Sequence, residues 1–257
     1  MSALHTFIEQ QRSARPVLLM THVVYGYPSV DESLALMRDL LETGVELLEV
    51  QFPFSDPSAD GPSILHACHE ALQQSPTLQR CLEDIAVLSR DFPDSRVLLM
   101  SYLNPLFRHG LERLPAAAAT AGIVGFIVPD LPIELAASYR DACAEAGVEP
   151  VWLLTPETPP ARMRQICEAA TGMLYCVSRK GVTGQSGEST QPLEAYLAAI
   201  RQHTGLPLAV GFGIRTPAQV AALQGQADIA IVGSGLLDAY NQGGRAAVRD
   251  LVRSLRN

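Results

Sequence analysis

Positive charge is scarce in this chain of 257 residues: Lys180 is its single lysine, and Lys+Arg total 19 against 27 for Asp+Glu, a formal net charge of -8. Without a basic stripe to neutralise a phosphate backbone, nucleic acid is excluded as a partner. Long apolar runs are also missing. No stretch approaches the roughly eighteen residues that span a bilayer, and the opening MSALHTFIEQQRSARP reads as a short amphipathic helix with no cationic start leading into an apolar region. The expected location is the cytoplasm. The five cysteines, Cys68, Cys81, Cys143, Cys167 and Cys176, are odd in number and include no C-x-x-C pair, which argues against a disulfide frame or a zinc site. His66 and His69 could share a helix face, but with no second group of ligands near them no metal is expected. Nucleotide motifs are absent as well: there is no G-x-x-x-x-G-K-[ST] and no G-x-G-x-x-G after the first strand.

What is present is a large apolar core, with 47% hydrophobic and 18% charged residues. Short β-rich segments at 17–24, 47–52, 96–101, 124–128, 149–154, 173–178, 207–212 and 228–232 alternate with amphipathic ones at 29–41, 63–74, 77–89, 106–121, 133–146, 159–169, 193–203, 217–223 and 239–256. This order favours parallel strands joined by crossover helices. Eight such units with no linker rich in Gly, Ser or charge suggest one domain over 1–257, a closed α/β (β/α)8 barrel with an extra N-terminal helix, against a doubly wound open sheet. Glycine decides between the two. Gly211-Phe212-Gly213 and Gly233-Ser234-Gly235 follow the seventh and eighth strands, where barrels often bind phosphate, and Gly181-Val182-Thr183-Gly184 follows the sixth. A helix opening just after Ser234 adds a dipole favourable to an anion.

The most informative segment is 47–62, LLEVQFPFSDPSADGP. Glu49 lies inside an apolar strand with no basic neighbour in sequence, where desolvation raises a carboxyl pKa and suits it to move protons. The loop after it carries Asp56 and Asp60 between Pro53, Pro57 and Pro62, which limit its wandering. One acid at a strand end and another on a stiffened loop suit general acid and base work on one substrate.

The PFSDPSADGP string, with Gly26-Tyr27-Pro28, Tyr102-Leu103-Asn104-Pro105, Val128-Pro129-Asp130-Leu131-Pro132, SRKGVTG at 178–184, Gly211-Phe212-Gly213-Ile214 and Gly233-Ser234, resembles the tryptophan synthase α chain family over nearly the whole length. The resemblance implies a TIM barrel lyase that cleaves indole-3-glycerol phosphate to indole and glyceraldehyde 3-phosphate in tryptophan biosynthesis. It implies Glu49 as the proton shuttle, Asp60 on the indole N–H and Tyr175 near the glycerol chain. Thr183 is expected on a closing loop with Arg179, Phe212 and Tyr102 around the indole, and Gly184, Gly213, Gly233 and Ser234 on the phosphate. It also implies no cofactor in this chain, and a pyridoxal-phosphate β chain as partner in an α2β2 heterotetramer, met through Pro53, Asp56, Asn104 and Pro132. A Schiff base on Lys180 is not expected, because that residue lies on a loop past the strand end, where desolvation is doubtful.

Four positions depart from the family pattern: Gln51 replaces a usual glycine, His22 an aromatic or aliphatic residue, Leu65 a glutamine and Leu135 an acid. Gln51 is two residues beyond Glu49 and so shares its strand face, within reach of the carboxylate or of substrate space. The readings left beside the α chain are a stand-alone lyase, a barrel acting on another phosphorylated substrate, and a non-catalytic regulatory subunit.

Overall fold

The computed structural model describes residues 2–177, 192–211 and 213–256. Eight parallel strands close in sequence order into a barrel: β1 (Leu18–Val24), β2 (Leu47–Gln51), β3 (Arg96–Met100), β4 (Ile123–Ile127), β5 (Glu149–Leu154), β6 (Leu174–Val177), β7 (Leu208–Gly211) and β8 (Ile229–Val232). The ring closes where β1 pairs with β8, Leu18 opposite Ile229 and Met20 opposite Ile231. Strands covered on both faces read as continuous apolar runs, which is why β1, β2 and β8 consist of buried residues throughout.

The described helices are α1 (Ala3–Arg12), α2 (Val30–Glu42), α3 (Pro62–Gln73), α4 (Leu78–Asp91), α5 (Leu103–His109), α6 (Leu114–Thr120), α7 (Ala137–Ala146), α8 (Pro160–Ala169), α9 (Leu193–Arg201), α10 (Pro217–Ala221) and α11 (Ser234–Arg256). Three differ from the sequence expectation. The single helix expected at 106–121 is two, because Gly110 takes a positive φ of 102° that ends α5, and Pro115 opens α6 in its first turn. The helix expected at 133–146 begins as a 3-10 turn, Ile133–Leu135, before α7. The last helix starts at Ser234, earlier than 239, and bends where Gly243 and Gly244 leave helical geometry.

Period-2 alternation sends one set of strand residues into the barrel. Met20, Leu47, Leu98, Ile127, Val151 and Ile229 pack there as one apolar cluster, and Leu4, Phe7 and Ile8 of α1 close its lower end. The alternate residues, among them Leu48, Leu99, Trp152 and Val210, form the larger cluster beneath the outer helices. Among the described residues no helix is long and apolar enough to cross a membrane.

Two buried acids tie the lower end together. Asp228 is 3% exposed, accepts the Leu208 N–H at 2.7 Å, and pairs with Arg12 at 2.8 Å and with Arg201. Glu46 accepts the Leu19 N–H at 3.1 Å and pairs with Arg256 at 2.8 Å and Arg15 at 3.4 Å. Removing such an acid orphans a buried amide and leaves arginines unpaired. Asp228→Ala is therefore expected to lower unfolding stability by roughly 3 kcal/mol; urea melts giving a loss under about 0.5 kcal/mol, within the range of ordinary surface changes, would contradict this account of the lower end.

Candidate active site

The upper end, where the strands finish, holds a cavity lined by His22, Glu49, Asp60 and Tyr175, with Gly211, Gly213, Gly233 and Ser234 on one side and Ile64, Met100, Ile127, Leu153 and Ile231 filling the walls. Register explains the polar set. Glu49 lies between His22 on β1 and Leu98 on β3, and Gln51 between Val24 and Met100. Two apolar positions on the inward face are thus replaced by Glu49 and His22 just where the interior opens.

Glu49 is 2% exposed, and its Oε2 has no hydrogen-bond partner among the described residues. Burial raises its pKa to about 7; His22 counters the shift and Asp60 adds to it. A carboxyl poised near neutrality can both give and take a proton.

Asp60 reaches the same cavity from the loop between β2 and α3. The loop is pinned locally: Ser58 N–H donates to Asp56 O at 2.8 Å and Asp60 N–H to Pro57 O at 3.0 Å. Burial raises the Asp60 pKa as well, but the nearby His22 and hydrogen bonds from Gln51 and Tyr102 oppose that rise. Gln51 Nε2 donates to Asp60 Oδ2 at 2.8 Å and Tyr102 Oη to the same oxygen at 2.9 Å. The two acids are thus differentiated: one has an unpartnered oxygen in an apolar wall, the other is held by donors that favour its ionised form.

Tyr102 is 1% exposed and stands behind Asp60, where its hydroxyl also accepts the Ala59 N–H at 2.9 Å; it supports the acid and does not line the cavity wall as the sequence suggested. Gln51 does not bond Glu49; its amide goes to Asp60. Tyr175 lines the cavity with its hydroxyl beside Gly211, where a Cβ would lie 3.7 Å from it, and burial and the two acids push its pKa well up, so it is a neutral donor. The apolar lining of Ile64, Met100, Leu153 and Ile231 was not singled out in the sequence, although stepping by two residues along each strand would have found the strand members.

The glycine side of the cavity depends on close packing. Gly213 has φ +73°, a conformation that side chains rarely adopt, and a Cβ on Gly235 would lie 2.7 Å from Ile214 O. Only glycine there lets the first turn of α11 pack on the loop after β7. The start of α11 at Ser234 therefore points its dipole into the cavity beside Gly213 and Gly233.

Comparison with known proteins agrees with this geometry. The family model for the tryptophan synthase alpha chain matches residues 8–256. The chain belongs to that family. A tryptophan synthase alpha chain from Syntrophotalea carbinolica is 42% identical over 98% of this chain and 100% of its own, and one from Chloroflexus aurantiacus is 40% identical over 99% of each. Among solved structures, tryptophan synthase from M. tuberculosis superposes with a TM-score of 0.91 at 31% identity, covering 99% of this chain and 97% of that chain. The alpha chain from Legionella pneumophila gives 0.87 at 30%, covering 100% and 96%.

Thr183, Gly184, Arg179, Lys180 and Phe212 lie outside the described residues. Of the positions expected to meet a partner, Asp56, Asn104 and Pro132 are exposed, whereas Pro53 is buried; Pro53 and Asn104 line one surface depression and Pro132 another. Among the described residues no group of three or more His, Cys, Asp or Glu could hold a metal ion.

The raised Glu49 pKa has a consequence for stability. Below the ordinary carboxyl range Glu49 is protonated in folded and unfolded chains alike and costs nothing. As pH rises from about 4.5 through about 7 the unfolded form ionises first, and the folded state is progressively disfavoured. The stability of Glu49→Gln relative to the unsubstituted protein is expected to grow by about 3 kcal/mol between pH 4 and 8. Parallel denaturant melts across that range would refute the assignment if the difference stayed flat.

Proposed function

We propose that this chain is the α subunit of tryptophan synthase and cleaves indole-3-glycerol phosphate by a retro-aldol reaction, with Glu49, Asp60 and Tyr175 as its catalytic residues. The observation that carries the reading is the pairing, across one cavity, of a buried Glu49 whose Oε2 meets no donor among the described residues with a donor-held Asp60, opposite the glycines that follow β7 and β8.

Protonation of the indole ring at C3 creates an indolenine, which is itself the electron sink. Glu49 in its acid form delivers that proton, and Asp60 accepts the indole N–H and stabilises the positive charge that develops on it. Glu49, now a carboxylate, takes the proton from the hydroxyl of the adjacent glycerol carbon. The C–O bond becomes a carbonyl, the carbon–carbon bond breaks, and its electron pair restores the aromatic ring. Indole and glyceraldehyde 3-phosphate leave, and Glu49 has regained its proton. No cofactor in this chain enters the scheme. Tyr175 orients the glycerol hydroxyls, and Gly213, Gly233 and Ser234 with the α11 dipole hold the phosphate; Thr183, Gly184 and Phe212 complete the ligand contacts, and Tyr102 keeps Asp60 in place.

The chain works as one catalytic domain in the cytoplasm and docks a β chain, which carries the pyridoxal phosphate, in an α2β2 complex. Asp56, Asn104 and Pro132 lie on the strand-end face with Phe107 and Leu135, large apolar side chains that are 67% and 76% exposed. Such side chains are the kind that an interface covers.

With indole-3-glycerol phosphate as substrate, Glu49→Gln is expected to lower cleavage by roughly a thousandfold or more. The unsubstituted enzyme should lose kcat/KM as pH rises past about 7, where Glu49 gives up the proton it must deliver. An unchanged cleavage rate in the variant would take Glu49 out of the reaction, and no cleavage by the unsubstituted chain would leave the regulatory-subunit reading instead. On gel filtration with the cognate β chain the two are expected to co-elute and the cleavage rate to rise; separate elution with no gain in rate would make the chain a stand-alone lyase.

A further inference from the structure

Asp60 is held by a buried hydrogen-bond chain that starts at the cavity wall. Gln51 is 0% exposed, and its amide has only one orientation that suits its neighbours. Its Nε2 faces Asp60 Oδ2 at 2.8 Å and Cys68 Sγ at 3.6 Å, while its Oε1 faces His22 Nε2 at 2.6 Å. The reversed amide would set its oxygen against a carboxylate. The carbonyl therefore accepts from His22, which must carry its proton on Nε2. The second donor to Asp60, Tyr102, lands on the same Oδ2, and its own hydroxyl oxygen accepts from Ala59 N–H. Both donors reach Oδ2 and neither reaches Oδ1, so among the described residues the carboxylate is anchored through Oδ2.

We propose that His22 and Gln51 are positioning residues of the cleavage reaction: the relay from His22 Nε2–H to Gln51 Oε1 and from Gln51 Nε2–H to Asp60 Oδ2 fixes the Asp60 carboxylate so that Oδ1 is presented to the substrate. This inference rests on the functional reading above and adds two residues to it. The imidazole tautomer is the control point. With the proton on Nδ1, the Nε2 lone pair would face the amide carbonyl, and the amide could keep only one of its two partners. His22 also lines the cavity with its Nδ1 close to Gly233, where a Cβ would lie 3.6 Å from it, so one ring connects the acid side of the site to the glycine side.

The charged and titratable groups around Asp60 are Glu49 from β2, His22 from β1, Tyr102 after β3, Cys68 from α3 and Tyr175 from β6. Burial pushes the Cys68 thiol up to about 12 and both tyrosines upward, so these three stay neutral. Loss of the Gln51 donor should make the ionised form of Asp60 harder to keep, which moves the acid limb of the rate profile upward.

The test is a kinetic cycle on the full chain with indole-3-glycerol phosphate, together with nitrogen NMR of the imidazoles. Gln51→Leu and His22→Leu are each expected to lower kcat/KM about tenfold and to shift the acid limb upward. The double variant should be no worse than the poorer single one, because both cut the same relay. His22→Gln should recover most of the loss, since its Nε2 can replace the imidazole donor. In the unsubstituted protein His22 should show the Nε2–H tautomer, a readout that needs neither a folded leucine variant nor activity. Additive losses, an unmoved acid limb, or an Nδ1–H tautomer would each overturn the relay. Failure of the unsubstituted chain to cleave the substrate would instead overturn the functional reading, with the tautomer still deciding the relay.

Discussion

A parallel sheet closed on itself leaves one narrow interior, and any group that points into it loses its water. In this chain the interior is apolar from the α1 plug up to Met20 and Leu47, and the inward rows of β1 and β2 then turn polar at His22 and Glu49. Desolvation is the constraint from which the chemistry follows. It is the largest influence taking an ordinary glutamate to a pKa of about 7, with His22 opposing the rise and Asp60 adding to it. The same isolation disfavours the folded protein at neutral pH, a cost that is met by the rest of the core.

Asp60 shows how a second acid in the same cavity can take the opposite role. It comes from a loop and so can be reached by donors from three directions: the relay through Gln51 from β2, the hydroxyl of Tyr102 after β3, and the imidazole field of β1. Glu49 is on a strand whose backbone is committed to its neighbours, and no side chain reaches its Oε2 among the described residues. Two carboxyls with one solvent history thus come apart through the elements that carry them.

The two ends of the barrel divide the work. Below, Asp228 and Glu46 knit α1, α9 and α11 to strand amides through arginine pairs, and α1 seals the interior. Above, Gly235 lets α11 pack against the Ile214 carbonyl, and Gly213 and Gly233 line the cavity. Stability gathered at one end allows a desolvated acid at the other, the arrangement expected of an enzyme barrel.

Much of this was readable in residue order. Apolar runs and their spacing located all eight strands to within about two residues, and Glu49 stood out because an acid interrupted an apolar run. The PFSDPSADGP string and the paired glycine loops carried the family. Helix breaks at Gly110 and Gly243–Gly244 were missed, because alanine-rich and amphipathic patterns continue across them and only the backbone geometry reveals the interruption. By itself, then, the sequence determined the eight strand-helix units, the end at which chemistry occurs and the acid that is buried there, since alternation along a strand depends on local order alone. The partners of Gln51, His22 and Tyr102 were decided only by the tertiary structure. Those contacts join residues 29, 9 and 42 positions apart, and closure of the ring, which no local pattern encodes, sets which of several possible acceptors each donor meets.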